Sequence, residues 1–359
     1  MNWRSARQVD AGATCRPPAA FELGSIVRLV RSSLTILFLA FMSGSAMYGD
    51  DTIDVRTGPY PPIPQQVTSF GAAVVGDALY LYGGHTGTAH SYSNKEQGRR
   101  LWRLDLKHPK KWDSVAEGPP LQGLALVAHG GKLYRIGGFS AENQAGEPHR
   151  LVSTAGVACF DPAAGRWTDL PPLPQPRSSF DAAVLDGRIY VIGGWRLSGD
   201  DDQAKWHTTA YSLDLNTDRP AWKALPEPPF VRRALAVAAF DGKIYAIGGM
   251  QQRGGPTTRV DVFDPTVGKW LRAPSLHGNP MNGFGASAFA AGDHLYVTTM
   301  DGSIQRIGKA GKTWEKTGRL ERPRFFHRMV RLDDHHLLMI GGASMSSGKY
   351  GEIDIIEIR

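Results

Sequence analysis

Only two of the 359 residues are cysteine. Cys15 lies near the N-terminus, so Cys159 stands alone in the rest of the chain and no intramolecular disulfide can staple it. No apolar run reaches the roughly 20 residues that a membrane-spanning helix needs. Lysine and arginine are scattered rather than gathered into runs, which removes the main support for nucleic-acid binding. Helix-favouring stretches are also missing. Forty-two glycines and 24 prolines punctuate the chain, as expected for short strands joined by tight turns.

The first 49 residues have a different character. Arg28 and Arg31 precede the apolar segment Leu34 to Met42, and Ser43, Gly44, Ser45 and Ala46 follow. A basic start, a short apolar stretch and small residues form the layout of a secretory signal peptide. Residues 1–49 are therefore expected to be a leader, with the start codon near Val27, and the remainder to be periplasmic or secreted with no membrane span. Losing the leader lowers the formal charge from +7 to +4, so the basic balance belongs partly to it.

From residue 50 onward the chain repeats. A Gly-Gly pair follows a short apolar strand at Gly84, Gly138, Gly194, Gly249 and Gly342, with a degenerate copy, LYVTTM, ending at Met300. Each unit opens with an Ala/Val-rich strand, and a tight turn such as Asp186-Gly187 leads to the strand before Gly-Gly. A variable loop, a third strand and a fourth strand headed by Trp112, Trp167, Trp222, Trp270 or Trp314 complete the unit. Six such units, residues 50–359, predict an all-β propeller of four-stranded antiparallel blades. The sixth unit ends without a fourth strand. The segment TGPYPPIPQQVTSF parallels TDLPPLPQPRSSF, so residues near 51–59 are expected to complete that blade and close the ring.

This grammar resembles the Kelch repeat, marked by Gly-Gly, a Tyr before it and a spaced Trp; Tyr80, Tyr134, Tyr190, Tyr245 and Tyr296 supply the Tyr. Among exported Kelch proteins the chain is distantly similar to the N-acetylneuraminate epimerases. That likeness implies sialic acid mutarotation as the alternative to a pure binding or interaction module. A likeness to the copper-dependent galactose oxidases is discounted, because Cys159 falls in a third strand rather than an axial loop.

The long loops after Gly-Gly define the face expected to carry function. Arg177, Arg232 and Arg324 occupy equivalent positions before the first strands, and their convergence would suit a carboxylate, sulfate or phosphate. Their alternative role is an ion pair with an Asp or Glu of a neighbouring blade. Asp181 and His327 are the acid–base candidates, with a structural role as the alternative for His327. His85, His90 and Trp195 are candidate ligand contacts in the loops, and ring stacking on Trp195 would suit a sugar. No metal or cofactor is expected, since the two histidines lack a third ligand. The expected partner is an acidic glycan or an extracellular protein.

Overall fold

The computed structural model describes residues 53–199 and 204–358; the leader lies outside them. Among the described residues, six four-stranded antiparallel sheets follow one another along the chain. We number them as blades. Their first strands are Gly71–Val75, Ala125–His129, Asp181–Leu185, Ala236–Phe240, Ser287–Ala291 and Arg328–Arg331. Each first strand packs on that of the next blade, and the sixth packs on the first, so the strands ring a central axis. Alanine recurs in the first five of these strands, where crowding at the axis leaves little room for larger side chains, and the sixth, Arg328–Arg331, has none.

The sixth blade takes its outer strand from the other end of the chain. Asp54–Thr57 pairs antiparallel with Ile353–Glu357, with Asp54 opposite Glu357 and Thr57 opposite Asp354. The expected closure is thus present, and it covers an edge that would otherwise be open to aggregation.

The core lies between blades. Leu79, Leu133, Ile189, Ile244, Leu295 and Leu337 hold the same position in the six second strands, and each is 0% exposed. Each contributes about 1.5–3 kcal/mol by burial. The tyrosine after this position packs against the next blade: Tyr190 lies 6.3 Å from Phe263, which in turn lies 5.2 Å from Trp270. The repeated Trp also ties down the chain entering its blade. Indole N–H groups of Trp112, Trp222, Trp270 and Trp314 donate to carbonyls of Pro61, Pro171, Pro226 and Pro274.

The Gly-Gly pairs have a physical cause. Gly137 and Gly138 have φ of 53° and 103°, a region that disfavours side chains. A Cβ on Gly137 would lie 2.6 Å from the carbonyl oxygen of Arg177 in the next blade. That closeness lets the Gly138 N–H donate to the same carbonyl at 2.8 Å. Equivalent inter-blade bonds run from Gly84, Gly194, Gly249 and Gly342. Blade 5 has Thr299-Met300 in place of Gly-Gly, and its short turn closes within the blade, with the Thr299 N–H donating to the Ser303 carbonyl.

A second ring crosses the axis. Ser69, Gly123, Ser179, Ala234, Gly285 and Phe326 stand two residues before the six first strands, and all have φ between 51° and 61°. Their backbones form a closed cycle: each N–H donates to the carbonyl of the preceding blade, from Gly123 to Ser69 at 2.7 Å around to Ser69 on Phe326 at 3.4 Å. The six-fold count and the closure are both written in this cycle.

Candidate functional site

Five residues lead into each first strand, and their side chains take different directions. In blade 4 these are Arg232, Arg233, Ala234, Leu235 and Ala236; in blade 3, Arg177, Ser178, Ser179, Phe180 and Asp181; in blade 6, Arg324, Phe325, Phe326, His327 and Arg328. The third position of each set belongs to the backbone cycle, and the fifth borders the axis. The first points into its own blade.

That inward direction corrects the expectation for the three arginines. Arg177, Arg232 and Arg324 are each 0% exposed, so they do not converge on an open pocket. Each donates from its Nη1 to the first glycine of its blade's Gly-Gly pair, namely Gly193 at 2.7 Å, Gly248 at 2.9 Å and Gly341 at 3.2 Å. Arg232 also pairs with Asp261 at 2.6 Å, and Arg324 with Asp354 at 2.5 Å. Burial lowers the pKa of all three, Arg177 to about 10 and Arg232 to about 9. They hold the Gly-Gly turns in place by satisfying carbonyls that would otherwise be buried without partners.

Asp181 and His327 are likewise committed elsewhere. Asp181 and Arg328 are true repeat equivalents, and they meet across the axis with Oδ1 and Nη1 2.8 Å apart. The other Asp181 oxygen accepts the Val237 N–H at 3.0 Å. Arg328 donates further to the carbonyls of Phe70 and Leu124. This pair therefore links blades 6, 1, 2, 3 and 4. It stands at the loop-face end of an axial cavity of about 440 Å³, which continues between the first strands to Leu332 and Asp333. His327 aligns with Phe180 rather than Asp181 and is 2% exposed, its Nε2 2.5 Å from the Thr298 hydroxyl. Burial, reinforced by Arg324 and Arg328, lowers its pKa to about 3. A core histidine held uncharged in this way is only a weak base near neutral pH.

The histidine pair does not assemble either. His85 is 5% exposed, and its Nε2 donates to the Ser91 carbonyl at 2.6 Å, bracing its own loop. His90 is exposed, with φ of 62°. Among the described residues no cluster of three or more potential metal ligands occurs.

Trp195 is where the loop face comes together. Trp195–Arg196 and Lys205–Trp206 form a short hairpin in which the two tryptophans stand opposite each other, ring centroids 5.6 Å apart. The guanidinium of Arg233, second of the five residues in blade 4, lies 4.0 Å from the Trp195 ring and 5.3 Å from that of Trp206. Arg233 is half-buried, and burial lowers its pKa, with Tyr92 opposing. Among the described residues no carboxylate pairs with it, and its Nε has no acceptor. Among the described residues two further donors on this face are buried without partners: the indole nitrogen of Trp195 and the amide nitrogen of Gln122, which holds Arg233's repeat position in blade 2. Tyr92, 6.0 Å from Phe139 and 5.3 Å from His149, joins the blade 1 and blade 2 loops beside this group. Sequence reading passed over Arg233 in favour of Arg232, one residue away. The doubled arginine was the available signal, since adjacent residues in an extended segment point to opposite sides.

Residues 120–174, 176–227 and 232–277 match the Kelch motif model. The chain carries Kelch repeats. It is 26% identical to N-acetylneuraminate epimerase of Pasteurella multocida (strain Pm70), over 80% of this chain and 71% of that protein. To Kelch-like protein 35 of Mus musculus it is 29% identical over 50% of this chain, spanning 28% of that relative's length. The solved structure of YjhT superposes with a TM-score of 0.67 at 20% identity, covering 84% of this chain and 97% of that one. No helix among the described residues of the Kelch propeller is long and apolar enough to cross a membrane. Cys159 sits half-buried inside blade 2, opposite Tyr134 in the strand pairing and away from the axis.

Proposed function

We propose that this Kelch propeller is exported, with residues 1–49 as its leader, and that its loop face binds a carboxylate-bearing ligand. The ligand is an acidic glycan or an acidic segment of an extracellular protein, and Arg233 is its receptor. The observation that carries this reading is a half-buried guanidinium stacked on two indoles with no carboxylate partner among the described residues. Holding a cation partly desolvated has a free-energy cost, and an incoming carboxylate offsets it with charge-assisted bonds stronger than neutral ones. The flat indole faces beside it suit the apolar face of a sugar ring or of a side chain.

The reading is tested by a thermal-shift panel of sialic acids, uronic acids, sulfated sugars and neutral sugars. A ligand at 100 times its Kd stabilises by about 2.7 kcal/mol and raises Tm by several degrees. The shift is expected only with anionic ligands, and only with Arg233 present. An equal shift in Arg233→Gln would remove Arg233 from the site.

Sialic acid mutarotation is the second reading, supported by the epimerase relative. Asp181 and His327 do not serve it, being tied to Arg328 and buried beside Thr298 respectively. Binding is therefore favoured over catalysis. An anomer-exchange assay decides: a rate above the spontaneous one, lost in Arg233→Gln, would establish the enzyme.

A further inference from the structure

Beside Arg233 the loop face changes character. Blades 1 to 3 carry the long loops, whereas blade 5 turns directly from Thr298 to Ser303 and leaves its side of the face low. There Phe284 and Phe325, at the repeat position that Arg233 holds in blade 4, lie 6.2 Å apart. Phe326 completes a triad, 5.0 Å from Phe284 and 5.2 Å from Phe325. All three rings are half-buried. Two methionines extend the patch: Met281, three residues before Phe284, is 40% exposed, and Met345, at the tip of the blade 6 hairpin, is 82% exposed. The triad adjoins Arg233 through the backbone, because the Gly285 N–H donates to Ala234 at 3.1 Å. A cation with no carboxylate partner among the described residues and an apolar patch thus stand side by side.

We propose that the loop face docks a protein segment presenting a carboxylate next to a bulky apolar side chain. The proposal rests on the reading of Arg233 as an anion receptor and adds the chemistry of its neighbours. Charge complementarity places the carboxylate on Arg233. The phenylalanine triad has no polar group to recognise sugar hydroxyls, and desolvating those hydroxyls without partners would be costly. An aliphatic or aromatic side chain meets no such cost. Exposed methionines at the rim adapt to the shape of such a side chain, as at other peptide-binding surfaces.

The test is a random heptapeptide display library panned on the full chain as exported. Enriched sequences are expected to carry Asp or Glu within two positions of Phe, Leu, Trp or Met. Arg233→Gln should remove the acidic preference and weaken binding about tenfold, as for loss of one charge-assisted contact at a hot spot. Phe325→Ser should remove the apolar preference and keep the acidic one, with Phe284→Ser as a second variant should the first lower Tm. Enrichment of only one of the two features, or none, overturns the proposal. If carboxylated sugars bind through Arg233 while no peptide is enriched, the protein partner falls and the anion receptor stands. If peptides bind equally well to Arg233→Gln, both fall. Concentration-dependent dimerisation abolished by Phe325→Ser would give the patch to a second copy and equally overturn the proposal.

Discussion

Blade 3 and blade 4 place an arginine at the same repeat position and treat its charge differently. In blade 4, Arg232 meets Asp261, which is 1% exposed and also holds Arg259 at 2.6 Å. In blade 3 the strand position of Asp261 is taken by Tyr211, whose ring lies 5.4 Å from the Arg177 guanidinium. Arg177 relies instead on the carbonyls of Gly193 and Thr209 and on the Thr209 hydroxyl, and its Nε has no acceptor among the described residues. The common element is the bond to the first glycine carbonyl. Both turns take the donor, with a carboxylate beside it in blade 4 and none in blade 3; burial lowers the pKa of both guanidiniums, with Arg259 adding to it at Arg232.

The largest effect should come from removing the shared counter-ion. Asp261→Leu leaves Arg232 buried without a carboxylate and frees Arg259, and is expected to cost about 3–5 kcal/mol in urea denaturation. A loss below 1 kcal/mol would mean that the blade 4 carboxylate is as dispensable as its missing counterpart in blade 3. Arg232→Met should cost about 2–3 kcal/mol, because it strips the Gly248 carbonyl and leaves Asp261 with Arg259 alone. Arg177→Met removes the same turn donor but also an uncompensated buried cation. It should therefore cost only about 1 kcal/mol, and equal losses in the two variants would refute the contrast.

The smallest effect is the share of the pH dependence that belongs to blade 3. His207 lies with Nε2 3.0 Å from the Pro176 carbonyl, and burial together with Arg177 lowers its pKa from 6.5 to about 4. Between those values the unfolded chain takes up a proton that the folded chain refuses, so stability falls as pH drops from 6.5 toward 4. Arg177→Met should raise the His207 pKa and shrink the Tm difference between pH 7 and pH 5, while Arg232→Met should leave it intact. His327 contributes equally in both, since its causes are burial, Arg324 and Arg328.

Much of the fold could be read from the repeat. The Gly-Gly pairs, the Tyr before them and the spaced Trp each have a local cause: no room for a Cβ, a ring stacked on the next blade, an indole holding the incoming proline carbonyl. The closing strand was legible because the segment leading into blade 1 echoes the one leading into blade 3. The site was less legible. The equivalence of Arg177, Arg232 and Arg324 was correct and their direction was not, since equivalence in a repeat says nothing about which side of the strand a residue faces. The extra residue in the blade 6 turn shifts the repeat count by one, so His327 aligns with Phe180, and Arg328 is the residue that meets Asp181.

The sequence by itself determined the strand order, the six-fold repetition and the joining of the chain's two ends, because these follow from patterns that recur every blade. The tertiary structure alone decided which arginine is a scaffold donor and which has no carboxylate partner among the described residues. Neighbouring residues in an extended segment point to opposite sides, and a carboxylate partner, when there is one, lies far away in sequence.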